Sequence, residues 1–125
     1  MSEAIEAYKG ATSLYGERKY EEAIEAYSRA LEHKPDWAEA ILGLAMAQMQ
    51  AGKLDEAIAT GNRVVELDPN DPSAYTSLSM FWQRKGDIDE AEKQQAKARM
   101  ASWKQELKDN PNAPPPEDGG MKVVQ

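Results

Sequence analysis

The 125-residue sequence repeats itself at an interval of 34 residues. Several sets of matching residues follow this interval: Ala23, Ala57 and Ala91; Tyr20, Leu54 and Ile88; Glu22, Glu56 and Glu90; Pro35 and Pro69; Gly52 and Gly86. A period of this length is typical of proteins in which each copy buries its apolar face against the next one. The sequence therefore predicts a short array of three copies.

Each copy carries the signals of two helices joined by a tight turn. Asp36, with Glu39 three residues later, predicts a capping box at the start of the second copy. Asp71 followed by Pro72 predicts a helix start in the third copy, and Gly86 predicts the turn that follows that helix. Alternating apolar positions of the strand type are absent from the sequence. We therefore expect an all-α fold.

The first helix of each copy has the same spacing of small and larger residues. The three matching sets are Ala7, Gly10, Ala11 and Leu14; Ile41, Leu44, Ala45 and Gln48; Tyr75, Leu78, Ser79 and Trp82. Together with the period and the later alanines and prolines, this pattern resembles the tetratricopeptide repeat. The resemblance implies a right-handed α-solenoid of three helical hairpins, with repeats at about 4–37, 38–71 and 72–105 in a domain covering 1–109.

The second helices depart from the family pattern at one position. Tyr27 provides the expected aromatic residue in the first copy, whereas Gly61 and Gln95 occupy that place in the later copies. A helical glycine also lowers the local helix propensity by about 1 kcal/mol. We therefore expect thinner packing at these two positions.

The last helix is predicted to be extended, because Trp103 stands where the third copy would have its terminal proline. Met100, Trp103 and Leu107 then form an apolar seam at helical spacing. This seam either folds back to cap the open end of the array or provides the contact of a homodimer or of a partner helix. Residues 110–125, which contain four prolines and two glycines, are predicted to be a flexible C-terminal tail.

Composition excludes several classes of function. The net charge of -7 disfavours nucleic acid and anionic membrane surfaces as partners, and a chain without cysteine has no thiolate chemistry. His33 is the only histidine, and no phosphate loop or Ser-His-Asp set is present. No catalytic, cofactor-binding or metal site is therefore predicted, so we do not expect an enzyme. Because the N-terminus lacks the features of a secretory signal, we expect a cytoplasmic protein.

The resemblance implies that the first helices of the three copies line a concave groove. The groove positions of the family fall here on Tyr8, Thr12, Tyr15, Leu42, Met46, Met49, Ser73, Thr76, Ser77, Met80 and Gln83. Methionine and tyrosine make an adaptable apolar surface that suits a peptide segment. The alternative interpretation is that Met46, Met49 and Met80 fill gaps between the helices.

The groove positions also indicate whether the chain belongs to one subclass of the family. Co-chaperone members hold C-terminal carboxylates with a clamp of lysine, asparagine and arginine side chains. Its places here are taken by Tyr8, Thr12, Gly43, Ser73 and Ser77, none of which matches. We therefore expect no clamp-type chaperone binding.

The sequence predicts a non-catalytic interaction module, or adaptor, that binds a protein or peptide partner in the groove. The alternative function is a structural self-assembly element that dimerises through Met100, Trp103 and Leu107 of the extended last helix.

Overall fold

The computed structural model describes residues 2–116. Six helices follow one another along this part of the chain: α1 (Glu3–Gly16), α2 (Tyr20–His33), α3 (Ala38–Gln50), α4 (Leu54–Leu67), α5 (Pro72–Lys85) and α6 (Ile88–Asp109). Residues 2–116 contain no strand. The predicted all-α fold of three helical hairpins is confirmed.

Each helix packs on its neighbours in the sequence. The pairs α1 with α2, α3 with α4, and α5 with α6 form the three hairpins, while α2 packs on α3 and α4 on α5. The first helices also meet, because α3 contacts both α1 and α5. The hairpins therefore stack as a solenoid with α1, α3 and α5 along one side.

The helix ends confirm two of the predicted signals and contradict one. Asp71 Oδ1 accepts a hydrogen bond of 2.9 Å from Ser73 N, and Gly86 ends α5 with a φ of 93°. Asp36 does not cap α3. The N-cap is Trp37, whose carbonyl accepts from Ile41 N at 3.0 Å, and no side-chain cap is made. The predicted capping box at Asp36 is wrong because the helix begins one residue later than this box requires.

Two apolar clusters form the core. The first lies between the first two copies and includes Tyr27, Leu31 and Ile41, and the second joins the last two copies through Met49, Leu78 and Phe81 among others. Small residues lie where helices cross: Ala11, Ala23, Ala45 and Ala57 all have 0% exposure. Small side chains at these points allow the close approach of helix axes.

The expected thin packing at Gly61 is wrong. A Cβ at this position would lie 2.9 Å from Leu78 Cδ2 and 3.5 Å from Phe81 Cε2, so α5 packs directly on the backbone of α4. The apolar volume that an aromatic residue at position 61 would have provided comes instead from Phe81 of the next copy, which is fully buried. Gln95, the other departure, is exposed on α6.

The last helix is longer than the other five and has 22 residues. After it the chain turns back, and Trp103 Nε1 donates a hydrogen bond of 3.0 Å to the carbonyl of Ala113, which is 5% exposed. The start of the predicted tail therefore lies against α6. The remainder of that tail, residues 117–125, lies outside the described residues, and the domain boundary at 109 stays a prediction.

Candidate functional site

The predicted groove residues lie on α1, α3 and α5, and we call the side of the solenoid that they form the first-helix surface. The structure brings these three helices together, with α3 in the middle. One side-chain hydrogen bond joins two of them on this side, because Gln50 Nε2 of α3 donates to the hydroxyl of Tyr15 on α1 at 3.2 Å. The predicted residues therefore lie on three neighbouring helices.

An aromatic cluster lies at the α1 end of the first-helix surface. The ring of Tyr8 lies 4.5 Å from the ring of Trp37, and it meets the ring of Tyr27 edge-on at 5.8 Å. Such ring pairs add about 0.5–1.5 kcal/mol to the stabilisation from burial alone. Tyr8 and Trp37 stay half-buried, whereas Tyr27 is buried. The cluster therefore leaves two half-buried aromatic rings, those of Tyr8 and Trp37, at this end of the first-helix surface.

Hydroxyl groups continue this cluster toward the middle of α1. Thr12 Oγ1 donates to the carbonyl of Tyr8 at 3.0 Å and lies 3.4 Å from the hydroxyl of Tyr27. Either of these two hydroxyls can act as the donor in this contact. Burial raises the pKa of Tyr27 above its usual value, and the bond to Thr12 opposes this only in part. Tyr27 is therefore neutral at physiological pH.

The methionines divide into two kinds. Met46 and Met80 are half-buried and lie against the second core cluster, as does Leu42 against the first. Met49 has only 2% exposure and belongs to the core itself. For Met49 the burial supports the interpretation as a gap filler, while Met46 and Met80 keep part of their side chains at the surface.

The α5 part of the first-helix surface is polar and uncharged. Ser73, Thr76 and Gln83 are exposed, and Ser77 is half-buried. The hydroxyl of Thr76 donates to the carbonyl of Pro72 at 3.0 Å, so its oxygen remains available as an acceptor. This part can offer hydrogen bonds but no charge to a ligand.

The sequence analysis did not identify Trp37 as part of the aromatic cluster, and it did not explain why position 43 is a glycine. A Cβ on Gly43 would lie 2.5 Å from Tyr27 Cε1, a distance that no stable packing permits. Because Gly43 has no side chain, the Tyr27 ring can pack directly against the backbone of α3. The available signal was a glycine in the interior of a predicted helix. Glycine lowers helix propensity at such a position, so its presence there indicates a packing requirement.

Within residues 2–116, no group of three His, Cys, Asp or Glu side chains is placed to hold a metal ion. None of the helices in this range combines the length and the apolar character that crossing a bilayer requires. A cavity of about 580 Å³ lies at the α5–α6 turn and is lined by Trp82, Lys85 and Ile88 among others.

Comparisons with known proteins agree with this architecture. A family profile described as tetratricopeptide repeat matches residues 14–80. A crystal structure of MamA is 26% identical with a TM-score of 0.77, over 82% of this chain and 60% of that chain. The chain thus spans about 60% of the length of MamA. No curated protein sequence gives a significant match.

Two further solved structures contain a bound peptide. The second tetratricopeptide domain of Spaghetti (RPAP3), bound to the HSP90 peptide SRMEEVD, is 25% identical with a TM-score of 0.71, over 78% of this chain and 90% of that one. The type III secretion chaperone SycD of Yersinia enterocolitica, in complex with a peptide of the translocator YopD, is 24% identical with a TM-score of 0.75 over 87% and 85%. At this identity the second likeness shows the fold alone.

Proposed function

Because this chain belongs to the tetratricopeptide repeat family, we propose that it is a non-catalytic adaptor that binds a peptide or protein segment on its first-helix surface. The observation that carries the proposal is the set of half-buried apolar side chains across that surface, with Tyr8 on α1, Met46 on α3 and Met80 on α5. Each of these side chains packs against the core and keeps part of its surface exposed, where a ligand can contact it.

The chemistry of the surface indicates the kind of segment that it binds. Methionine side chains adapt to different shapes, and tyrosine and threonine hydroxyls satisfy the polar atoms of a peptide backbone. The partner is therefore an uncharged or apolar segment, in extended or helical form. The peptide bound to the related RPAP3 domain supports the choice of a peptide as ligand class.

Replacing Met46 or Met80 by glutamate is expected to weaken peptide binding by about ten-fold or more. An unpaired carboxylate that must lose water at an apolar interface costs about 1–3 kcal/mol. The probe is a set of peptides selected from a random display library on the wild-type protein, with affinities measured by fluorescence anisotropy. Both methionines are only half-buried, so the melting temperature is expected to change little.

The matched control is Met100→Glu, which introduces the same charge at a methionine that is 37% exposed on α6. It should leave the affinity of the selected peptides unchanged. Peptides that bind Met46→Glu and Met80→Glu as tightly as the wild type would contradict the proposed location of the site.

A peptide ending in Glu-Glu-Val-Asp is expected to bind this chain at least about 100-fold more weakly than it binds a domain that has the clamp side chains. The clamp positions carry Tyr8, Thr12, Gly43, Ser73 and Ser77, and none of these side chains is cationic. A C-terminal carboxylate would therefore lose its hydration without a charged partner. Calorimetric titration measures this, and micromolar binding would refute the expectation.

Dimerisation through the extended last helix remains the alternative, and one contact weighs against it. The indole N–H of Trp103 is already bonded to Ala113 of the same chain. Part of the predicted seam is therefore used within the molecule, which supports the interpretation that this seam covers the end of the array. The cytoplasmic location stays a prediction.

A further inference from the structure

At its α5 end the first-helix surface adjoins a cavity of about 390 Å³ between α5, α6 and the chain that follows α6. Thr76 of α5 belongs to both, since it is one of the predicted groove residues and also lines this cavity. Met80 lies four residues further along α5, on the same side of the helix. A segment bound over Met80 therefore has the cavity within about 6 Å along the helix.

Part of the cavity wall comes from the chain after α6, which is held in place by hydrogen bonds. A turn over residues 110–113 is closed by Ala113 N, which donates to the carbonyl of Asn110 at 2.9 Å, and by Asn112 N, which donates to Asn110 Oδ1 at 3.2 Å. The carbonyl of Ala113 accepts from the indole of Trp103 at 3.0 Å, and Ala113 is buried. The turn thus fixes the position of the segment that follows it.

Apolar groups form one side of the cavity. Pro114 and Pro116 of the returning chain line it together with Ala98 and Trp103 of α6. Proline rings hold their backbone at one φ, so this wall is stiff. Trp103 is half-buried and keeps part of its indole at the surface. An aromatic ring packs well against such a wall, in offset or edge-on contact with the indole.

The polar groups of the cavity favour a ligand that carries a hydrogen-bond donor. The Thr76 hydroxyl and the Trp103 indole N–H already donate to backbone carbonyls, so Thr76 retains only its acceptor capacity. Glu106 also lines the cavity, accepts when ionised, and forms no ion pair in the described part of the chain. Arg99 lines it too and already has an interaction partner.

We propose that this cavity is an anchor site for a tryptophan or tyrosine side chain of the segment that binds the first-helix surface. The proposal rests on the proposed function, because it assigns the cavity to the same ligand. The aromatic ring lies against Trp103 and the proline rings, and its N–H or hydroxyl donates to Glu106 or Thr76. Aliphatic side chains lack this donor, and a cationic side chain would place its charge beside Arg99.

The volume of the cavity agrees with a single side chain as its occupant. Pockets that enclose whole small ligands have about 300–1,000 Å³, and this cavity of about 390 Å³ lies near the lower end of that range. A helix is about 10 Å across with its side chains, so a partner helix would not enter it.

Peptides selected from a random display library on the full chain test the anchor site. We expect them to share a tryptophan or tyrosine at one position. Replacing that residue by alanine should weaken binding to the wild type by about ten-fold or more, but binding to Trp103→Ala by less than about two-fold. The matched control is Trp82→Ala, which removes a half-buried indole from the other cavity of the third hairpin and should keep the ten-fold loss.

Glu106→Ala adds a readout that does not disturb the apolar wall, since Glu106 is exposed. It should weaken the aromatic peptides by about three-fold and leave their alanine-substituted forms unchanged. A benzoylphenylalanine at the shared position is expected to cross-link to residues 98–116, which mass spectrometry identifies. Circular dichroism melts check that each variant stays folded.

The outcomes separate the anchor site from the proposed function. Selected peptides without a shared aromatic residue, an equal alanine loss on wild type and Trp103→Ala, or cross-links confined to α1–α4 would overturn the anchor site. If Met46→Glu still weakens those peptides, the proposed function stands without it. A library that yields no binder would overturn both.

Discussion

Replacing Phe81 by alanine is expected to lower the free energy of unfolding by about 3–5 kcal/mol. Phe81 is the only phenylalanine and has 0% exposure at the centre of the second core cluster. It packs against Gly61 of α4, so its removal leaves a cavity at the interface of the second and third hairpins. Thermal melts should show the loss, on the order of 4–8 °C for each kcal/mol in a domain of this size.

The control for this variant is Phe81→Leu, which keeps most of the apolar volume and should cost less than about 1.5 kcal/mol. A melt of Phe81→Ala within a few degrees of the wild type would show that the last two hairpins do not depend on this contact. Because stability in a repeat array rests on interfaces between neighbours, we expect the third hairpin to unfold first.

Replacing Gly43 by alanine is expected to destabilise the protein by about 1–3 kcal/mol, although the same change stabilises most helices. The new methyl group would lie 2.5 Å from Tyr27 Cε1 and 2.6 Å from its Cζ. Tyr27 is 5% exposed and holds Tyr8 from one side, so its ring has little room to move. Chemical denaturation measures the loss.

Gly10→Ala is the matched control for Gly43→Ala. Gly10 also lies inside a first helix, but a Cβ there would meet nothing within 4 Å. This variant should therefore gain about 0.5–1 kcal/mol from helix propensity. If both glycine variants change stability in the same direction, the close approach of Tyr27 to the α3 backbone is not what requires glycine at position 43.

Much of the fold could be predicted because its signals are local. The 34-residue spacing of Ala23, Ala57 and Ala91 indicates the number of hairpins, and Asp71 with Pro72 indicates a helix start. Such signals depend only on periodicity and on backbone hydrogen bonds within a few residues. Asp36 shows the limit of local signals, since α3 starts after Trp37, whose ring stacks on Tyr8 of another helix.

The candidate site could be predicted only as a set of positions. Helical spacing puts Met46 and Met49 three residues apart on α3, and nothing in that spacing shows that Met49 is buried while Met46 is half-exposed. Exposure depends on which residues of neighbouring hairpins reach each side chain. The contribution of Tyr27 and Trp37 to the first-helix surface likewise depends on contacts between α1 and residues that follow much later in the sequence.

The sequence by itself determined the helical class, the period and the family of this protein, since all three are read from spacings along one chain. The tertiary structure decided how tightly the copies join and where the array stays open. Phe81 replaces the aromatic residue missing at Gly61, and Ile88 is exposed because no fourth hairpin covers it in the described part of the chain. The physical reason is that packing depends on distances between atoms of different copies, which residue order alone does not specify.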